Sequence, residues 1–492
     1  MRRGFICRRY YGKFYSTFTS DDDSTPSLNN AVSLGNISVN DTRNDLHLGG
    51  LAGQVSAAST AFIKIENARY ETGIINAVCY GGVSGSNRSN SNIGGLIGTI
   101  GVSGGKGPDM SGCSTKAAGI NVSYLGSGDL NLGGFAGYVR NTDIITGGIS
   151  DTPITVLKSG DVYDIMVGGF IGQVYFSGDT MITGSRSSAS ITVEGKPRHE
   201  LNTGGLIGYV ARGGGSDTCT IEECSASGDQ FIKTYSVSIS GGLISYTNNT
   251  TIRKCRADGN VRVQVGSIRN NNNIPPYGSN GDYLVSGGGL LGYAASNTKI
   301  EDCYALGNVE VDDPYITAGT YRNEADAGGL VGRTINNSVS ISRCFAKGMV
   351  TAQGRPLNSK SVCAGGIVGY RNGGAESITN CVALNDIIST RGGNTRSTNR
   401  ITNAASALVS NYARDTMRLE EWTTYGNPLT AQPVSVTPPG STTDQHGGDV
   451  TATELVTWAW WSGTAGFNSG DNSAWSSTGV DKRGYPRLAW EF

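Results

Sequence analysis

One phrase of the sequence returns about every 40 residues, and it constrains the fold more than any other feature. Its clearest copy, Gly288–Val311, reads GGLLGYAASNTKIEDCYALGNVEV. The opening Gly-Gly-apolar-apolar-Gly recurs nine times, with Ser245 in place of the last glycine in one copy; the copies start at Gly49, Gly94, Gly133, Gly168, Gly204, Gly241, Gly288, Gly328 and Gly365. A fixed period of this length is typical of solenoids, propellers and other repeat arrays, so the repeat has to be explained before any single motif.

A second phrase follows the first in each repeat and has a cysteine at a fixed position, so that the cysteines of successive repeats form a column. It reads IEECSASG, IRKCRADGNV, IEDCYALGNV and ISRCFAKGMV, starting at Ile221, Ile252, Ile300 and Ile341. Two copies lose the cysteine and carry Gly148 or Ser185 there. Residues 31–39, AVSLGNISV, match the tail of the phrase without its beginning, and residues 400–417 form a degenerate last copy.

Each repeat is predicted to hold three short strands: Gly-Gly-apolar-apolar-Gly and its continuation, the segment into the cysteine, and Gly-x-Val-x-Val. Alternation places Leu206, Gly208 and Val210 on one face, which we expect to face the core. Ile207 and Tyr209 then point the other way. One repeat cannot bury its apolar side alone, so repeats must stack. We therefore predict an all-β parallel β-solenoid of about ten rungs of about 40 residues each, rather than a propeller, whose blade signature is missing.

Three regions are predicted along the chain. Residues 1–27 form a basic, disordered N-terminal segment, residues 28–417 the solenoid, and residues 418–492 an aromatic C-terminal capping module. All six tryptophans lie beyond residue 420, and a solenoid needs a cap because its last rung is a sticky edge. The opening MRRGFICRRYYGKFYSTFTS has no secretory apolar region. It indicates an incomplete or mis-started reading frame, with a mitochondrial-type presequence or a basic tail as alternatives.

Length variation is concentrated between the cysteine column and the next Gly-Gly. That interval ranges from 15 to 33 residues, whereas the interval from Gly-Gly to the column is nearly constant in the later copies. Residues 267–283, SIRNNNNIPPYGSNGDY, supply most of the largest excess. Insertions in one loop of a repeat collect along one flank of a stack. The first repeat is irregular between Gly49 and Cys79, and AFIKIENARY, residues 61–70, is interpreted as an extra strand there.

The two phrases together resemble the GLUG motif of bacterial surface and secreted proteins, some of them adhesins and IgA-directed peptidases. The resemblance covers residues 31 to about 417, and the ending GYPRLAWEF is similar to the module that often closes such arrays. It implies an extracellular β-solenoid, secreted or held at a cell surface. The motif itself is not catalytic, and a peptidase relative would carry its chemistry in a separate domain.

Seven of the ten cysteines are assigned to one column: Cys79, Cys113, Cys224, Cys255, Cys303, Cys344 and Cys381. Column neighbours lie one strand spacing apart and point the same way, which favours a buried ladder of thiols over a disulfide framework. Adjacent pairs such as Cys303 and Cys344 still fall within the Cα range for oxidation. There is no Cys-x-x-Cys pair, so no zinc site is predicted.

Candidate catalytic groups are few. His47, His199 and His446 are the three histidines, and HELNT, starting at His199, lacks the second histidine of a metalloprotease helix. Adjacent acidic residues such as Asp312 and Asp313 point to opposite faces of a strand and do not form a glycosidase pair. We therefore predict no catalytic residue, no metal and no cofactor.

Two aromatic sets are candidate ligand sites. The first follows the Gly-Gly phrase as an outward column: Tyr138, Tyr209, Tyr246, Tyr293 and Tyr370, with Gln173 and Arg333 interposed. Rings in a row offer apolar faces on which a glycan or an extended polymer can lie, and the alternative is stacking that stabilises the sheet. The second set is Trp458 and Trp461, for which packing inside the cap is the alternative.

The function predicted from these observations is a non-enzymatic, adhesin-like bacterial protein, secreted or at the cell surface. Its ligand would be a glycan or a host or extracellular-matrix protein, bound by the solenoid flank. A net charge of −1 and a pI of about 6.3 provide no broad basic surface for nucleic acid, and no apolar run is long enough for a transmembrane helix. The alternatives are a carbohydrate-active β-helix enzyme, a polysaccharide lyase or hydrolase, and a purely structural spacer of a larger surface protein.

Overall fold

The computed structural model shows a stack of β-rungs. It describes residues 27–40, 45–58, 63–80, 83–84, 87–88, 90–159, 162–213, 216–266, 283–314, 323–335, 338–354, 360–372, 376–423, 432–433, 440–468 and 474–492. Five long sheets contain between 9 and 12 strands each, and nearly all their pairings are parallel. This arrangement confirms the predicted parallel β-solenoid.

We name the sheets S1 to S5 in the order in which the chain visits them within a rung. S1 contains Leu46–Gly49, Ser91–Gly94, Leu130–Gly133, Ile165–Gly168, Glu200–Gly204, Val237–Gly241, Tyr283–Gly288, Asn323–Gly328, Lys360–Gly365 and Thr395–Asn399. S2 contains Ala52–Val55, Ile97–Ile100, Ala136–Arg140, Ile171–Phe176, Ile207–Arg212, Ile244–Thr247, Leu291–Ala294, Val331–Thr334 and Val368–Arg371. S3 contains Ser27–Asn29, Lys64–Glu66, Asp109–Ser111, Ile144–Thr146, Thr180–Thr183, Cys219–Glu222, Thr250–Arg253, Lys299–Glu301, Ser340–Ser342, Ser377–Thr379 and Leu408–Val409.

S4 contains Val32–Leu34, Arg69–Glu71, Ser114–Lys116, Ile149–Ser150, Arg186–Ser187, Ser225–Ala226, Arg256–Ala257, Tyr304–Ala305, Phe345–Ala346, Val382–Ala383, Tyr412–Arg414 and Gly448–Val450. S5 contains Ile37–Asn40, Ile74–Cys79, Gly119–Tyr124, Ile154–Ser159, Ile191–Gly195, Gln230–Thr234, Val261–Val265, Val309–Asp313, Val350–Gly354, Ile387–Gly392, Arg418–Trp422 and, antiparallel, Gln432–Pro433. Short antiparallel pairs join Ala57–Ala58 to Gly105–Lys106, Val83–Ser84 to Asn87–Arg88 and Trp475–Ser476 to Arg487–Leu488. The helical elements are α1 (Ala452–Leu455), α2 (Val480–Arg483), a π-turn (Trp460–Thr464) and a 3₁₀ turn (Ala489–Glu491).

A complete rung has five strands, not the three predicted. The two that the sequence did not reveal belong to S1 and S4. The S1 strand ends on the first glycine of the Gly-Gly pair, so the pair closes one strand and turns the corner into the next. The S4 strand is two or three residues long in most rungs, for example Ser225–Ala226, which is too short for an alternating pattern to show.

S1 and S2 are the two legs of a tight arc, and the glycines make that arc sterically feasible. A Cβ added to Gly204 would fall well under 3.0 Å from the carbonyl oxygen of Ile207 across the arc. One added to Gly205 would approach the carbonyl of Gly242 in the next rung equally closely. Gly208 packs directly against backbone atoms of S1. Both corner glycines therefore face backbone atoms that no side-chain rotation can move away.

The apolar core lies on both sides of this arc. Leu206 and Val210 are fully buried, as predicted, and Ile207 is buried as well. The face of S1 that points away from S2 packs on S5, where a Cβ on Gly287 would lie 2.7 Å from the Val311 side chain. Stacking makes this interior continuous along the axis, since each rung alone would leave its apolar edge in water.

The interpretation of residues 61–70 as an extra strand was wrong. Lys64–Glu66 and Arg69–Glu71 are the ordinary S3 and S4 strands of the first complete rung. The S2–S3 connection of that rung, residues 56–63, is as long as that of the next rung, residues 101–108. Because Arg69 pairs with Ser114, the residue aligned with Cys113 is Ala68.

The S3–S4 corner uses a left-handed residue in all eleven rungs that contain it. These residues have φ between 50° and 61° and are Asn30, Asn67, Gly112, Gly147, Gly184, Glu223, Lys254, Asp302, Arg343, Asn380 and Ser410. A side chain other than glycine costs roughly 1–2 kcal/mol in this conformation, and asparagine is among the residues that tolerate it best. The corner is therefore a strained position, and the packing of the rest of each rung holds it in this conformation.

We predict that Gly184→Ala lowers the free energy of unfolding by about 1 kcal/mol, because alanine must adopt the left-handed conformation. The loss is purely conformational, since the nearest atoms to the new Cβ are 3.8 Å away. Gly178→Ala is the matched control: nothing lies within 4 Å and its φ is not positive. Urea unfolding followed by circular dichroism should separate the two variants, and equal values would contradict the assignment of strain to the corner.

The aromatic C-terminal module lies on the flank of the stack and not across its end, which corrects the predicted position of the cap. Its core packs on Tyr304 and Phe345, which point outward from S4. The end of the stack is covered instead by residues 440–450, where Gly448–Val450 adds a strand to S4. There Arg400 donates to the carbonyl oxygens of His446 and Gly447 at 2.9 and 2.8 Å.

Candidate functional site

The five predicted tyrosines fall in one column of S2, each at the third residue of its strand. The rings of Tyr209 and Tyr246 stack at a centroid distance of 4.6 Å and an angle of 7°. Those of Tyr246 and Tyr293 stack at 5.4 Å and 20°. Tyr370 stacks under the guanidinium of Arg333, 4.3 Å from its ring centroid. The structure therefore places these side chains in one line along the axis.

The column projects toward S1, not outward into solvent, which corrects its expected orientation. At the same position in another rung, Thr99 accepts a hydrogen bond of 3.0 Å from Asn92 of S1. Arg333 likewise binds Asp326 of S1 at 3.0 Å. Rings about 5 Å apart cover each other's faces, so no flat face is left for a sugar ring between Tyr209, Tyr246 and Tyr293.

The hydroxyls of these tyrosines stay protonated throughout the physiological range. Burial raises the pKa of all five, which are Tyr138, Tyr209, Tyr246, Tyr293 and Tyr370. A neutral phenol both donates and accepts a hydrogen bond. The column can therefore contribute polar edge contacts to a ligand at the mouth of the S1–S2 arc, but its main contribution is ring stacking between rungs.

Arg333 interrupts the column and holds two carboxylates of S1. It contacts Glu324 and Asp326, and the exposed fractions of the Arg333 and Asp326 side chains are only 8% and 1%. Burial raises the pKa of Asp326 to about 7, although the neighbouring Arg333 lowers it. One cation thus faces two buried carboxyl groups, and binding a proton at Asp326 relieves the excess negative charge.

This cluster predicts a pH-dependent stability. The folded pKa of Asp326 lies above its ordinary value of 3.8. The contribution of the protonated carboxyl group to the free energy of unfolding is therefore fully present below about pH 4 and is lost as the pH rises through 7. Asp326→Asn removes this loss. The free energy of unfolding of the variant minus that of the wild type should therefore increase by up to about 4 kcal/mol between pH 4 and pH 8.

Urea titrations of both proteins at several pH values measure this gain. Glu310→Gln, a change to a half-exposed carboxylate on the outer face of S5, is the control and should leave the pH profile unchanged. Parallel profiles for Asp326→Asn and the wild type would show that Asp326 does not bind the proton.

The start of S1 carries a column of acidic and amide side chains that bind the backbone. The Asn90 side-chain oxygen accepts the amide N–H of Asp129 in the next rung at 3.3 Å, and Asp164 accepts that of Glu200 at 2.9 Å. His199 pairs with Asp164 at 2.9 Å and begins a strand, not a metalloprotease helix. Among the described residues, no three acidic, histidine or cysteine side chains gather as a metal site.

Six of the seven assigned cysteines share one column at the S3–S4 corner, buried in the core: Cys113, Cys224, Cys255, Cys303, Cys344 and Cys381. The thiols donate to carbonyls of S3, as Cys255 does to Ile221 at 3.4 Å, and Cys303 Sγ accepts the Cys255 amide at 3.4 Å. All nine cysteines in the described ranges are free thiols. Cys7 lies outside those ranges.

Cys79 does not belong to the column, contrary to its assignment. It ends the S5 strand Ile74–Cys79 and pairs with Tyr124, while Ala68 takes the column position in its rung. Because this rung has no cysteine at the column position, the next cysteine along the chain was assigned to it. Cys219 and Cys363 lie in S3 and S1, and burial raises the pKa of each to about 12.

Trp461 is part of the core of the C-terminal module, which contradicts its proposed role in ligand binding. It is fully buried, its Nε1 donates to the Leu455 carbonyl at 2.9 Å, and its ring meets Trp460 edge-on at 5.1 Å. Trp458 is partly buried against the same cluster. Trp461 therefore presents no free ring face as a glycan platform, whereas part of the Trp458 side chain stays accessible.

Sequence reasoning missed an apolar stripe on the outer face of S4. It consists of the residue after the column position in the last four rungs: Tyr304, Phe345, Val382 and Tyr412. In the two rungs before them, this residue is Ser225 and Arg256. The change from polar to apolar at one repeat position was visible in the sequence and marks where the C-terminal module docks.

The variable insertions leave the stack between S5 and S1, close to the open end of the arc. Two long insertions, 267–282 and 315–322, lie outside the described residues, but the strands that anchor them are described. Those strands belong to consecutive rungs. The anchors are thus held about 4.8 Å apart along one edge.

Comparisons with known proteins add little to this geometry. No family model matches the chain, and no curated protein matches it. Among solved structures it is similar to one described as "a putative immunoglobulin A1 protease from Bacteroides ovatus", at 15% identity and a TM-score of 0.26, over 65% of this chain and 86% of that one. The fold follows here from the strand order alone. No helix in the described ranges has the length and apolar character to cross a membrane.

Proposed function

We propose that the chain is a non-enzymatic, adhesin-like scaffold, secreted or displayed on a bacterial surface. It binds a glycan or an extracellular host or matrix protein through the edge where S5 connects to S1. The observation that carries this proposal is that two long connections between S5 and S1, of 17 and 9 residues, leave consecutive rungs at the same edge. The resemblance of the repeats to the GLUG motif supports the location outside the cell.

The sequences of these insertions suit recognition. GSIRNNNNIPPYGSNGD and PYITAGTYR, which start at Gly266 and Pro314, contain five asparagines, four glycines and three tyrosines. This is the composition of antibody binding loops, in which tyrosine supplies contact area and small polar residues supply adaptable hydrogen bonds. Loops that vary on a rigid scaffold are a common place for binding.

The test replaces residues 266–282 of the full chain with Tyr-Ser, the shortest connection between S5 and S1, found at Tyr235–Ser236. Wild type and variant are screened on immobilised glycans and matrix proteins. We expect the wild type to bind at least one ligand and the variant to lose about tenfold or more in affinity. The matched control shortens residues 125–129, the same connection in an early rung, and should bind like the wild type.

An equal loss in the control would show that the insertion edge is not the ligand site. Absence of any ligand for the wild type would favour the structural spacer. The same glycans are assayed for release of reducing ends, and release by the wild type would replace the proposal with a carbohydrate-active enzyme.

A further inference from the structure

The C-terminal module, residues 451–492, runs back along the flank of the solenoid and touches five rungs. At one end it continues directly from the last S4 strand, Gly448–Val450. Near its other end the Trp490 Nε1 donates to the Lys254 carbonyl at 2.7 Å. The rungs between these points are those of Arg256, Tyr304, Phe345, Val382 and Tyr412.

The apolar part of this contact is centred on Phe345. Its ring lies 5.7 Å from that of Trp461, 5.7 Å from that of Trp475 and 5.4 Å from that of Tyr485. Within S4 it stacks on Tyr304 at 4.9 Å. It also lies 6.5 Å from the ring of Phe467, so a side chain from a single rung carries four ring contacts with the module.

The polar contacts join the module to other rungs. The Glu491 side chain is 1% exposed and accepts a hydrogen bond of 2.9 Å from the Tyr304 hydroxyl. The same carboxylate pairs with Arg256 of the preceding rung at 3.5 Å. Trp475 Nε1 donates to Asp302 at 2.9 Å. These bonds link rungs through a third element, in addition to their own strand pairing.

We propose that this module is a strap that couples the five rungs into one cooperative unit. In a solenoid each rung contacts only its neighbours, so a stack can open rung by rung from its end. Contacts that reach from residue 254 to the last rung oppose such opening. Rungs under the strap then open together, and only when the strap leaves S4.

Phe345→Ser tests the proposal in the full-length chain, because serine already occupies the equivalent position at Ser225 and a rung accepts it there. Five of the six tryptophans lie in the strap and the sixth, Trp422, ends an S5 strand of the last rung, so tryptophan emission reports mainly the strap. Thiol labelling under native conditions reports opening of the rungs. We expect labelling of Cys303, Cys344 and Cys381 to rise about tenfold or more, and that of Cys113, outside the strap, to stay unchanged.

Two further variants sharpen the result. Arg186→Ser changes the same S4 position on an uncovered rung and should alter neither signal. Tyr304→Phe keeps the ring but removes its hydrogen bond to Glu491, so it should give a smaller rise at the same thiols. If Phe345→Ser does not fold, Tyr304→Phe decides the test. Unchanged labelling in the variants that fold would overturn the proposal, as would an equal rise at Cys113.

Discussion

A full-length chain carrying Gly289→Ala is expected to lose about 3 kcal/mol of unfolding free energy or more. Gly289 is the second corner glycine of its rung. A Cβ there would fall well under 3.0 Å from the carbonyl oxygen of Gly329 in the next rung and 2.9 Å from the Cβ of Ala305. Because the first neighbour is backbone, the clash is relieved only by moving a whole arc against the next. Urea unfolding followed by far-UV circular dichroism measures the loss.

Gly119→Ala is the control for this prediction. Gly119 begins an S5 strand, and an added Cβ would meet only the Pro153 carbonyl oxygen, at 3.8 Å. Its unfolding free energy should therefore stay within about 0.5 kcal/mol of the wild type. Similar losses in the two variants would show that the arc is not packed as tightly as the glycine geometry indicates.

The last rung shows what happens when the steric restriction is lifted. Asn399 and Arg400 stand where the other rungs have Gly-Gly. No further arc follows this rung, so the direction that is blocked at Gly366 by the Arg400 carbonyl oxygen is open at Arg400. Its side chain uses the space to bind residues 446–449, including Asp449 at 2.6 Å. Glycine is therefore present where the next arc blocks the direction of a Cβ, and it is replaced in the last rung, where that direction is open.

The sequence predicted the stack well because register and corner chemistry repeat in every rung. The Gly-Gly pairs and the thiol column each mark one position, and nine copies fix the period. Cys79 was misplaced because Ala68 stands at the column position of its rung, and the next cysteine along the chain lies in S5. One missing cysteine outweighed the regular spacing from the Gly-Gly pair.

The orientation of the tyrosine column was not predictable from alternation alone. Alternation places Gly208 and Tyr209 on opposite faces, yet Gly208 packs on the backbone of S1 and the Tyr209 column also projects toward S1. The strand pairing shows the irregularity, since Ile207 pairs with Ile244 and Tyr209 with Tyr246 while no pair is formed between them. The tight arc between S1 and S2 interrupts the alternation of side chains along the S2 strand. The arc is a tertiary feature and cannot be read from the repeat pattern alone.

The second large effect is expected at the buried charge cluster. Arg333→Tyr restores the residue that neighbouring rungs carry at this position, at Tyr293 and Tyr370. It should nevertheless lower the free energy of unfolding by about 3–5 kcal/mol at pH 8, because Asp326 and Glu324 would stay buried without their cation. The loss should shrink toward pH 5, where Asp326, with a pKa of about 7, becomes neutral.

Restoring the whole neighbouring rung separates the charge effect from the change of shape. The residues aligned with Glu324, Asp326 and Arg333 are Leu284, Ser286 and Tyr293. The triple variant E324L/D326S/R333Y therefore copies a set that already packs between S1 and S2. A buried ion cluster replaced by well-packed neutral groups is often neutral or stabilising, so the triple variant should recover to within about 1 kcal/mol of the wild type or exceed it. If the triple variant remained as unstable as Arg333→Tyr, shape complementarity and not unpaired charge would account for the loss.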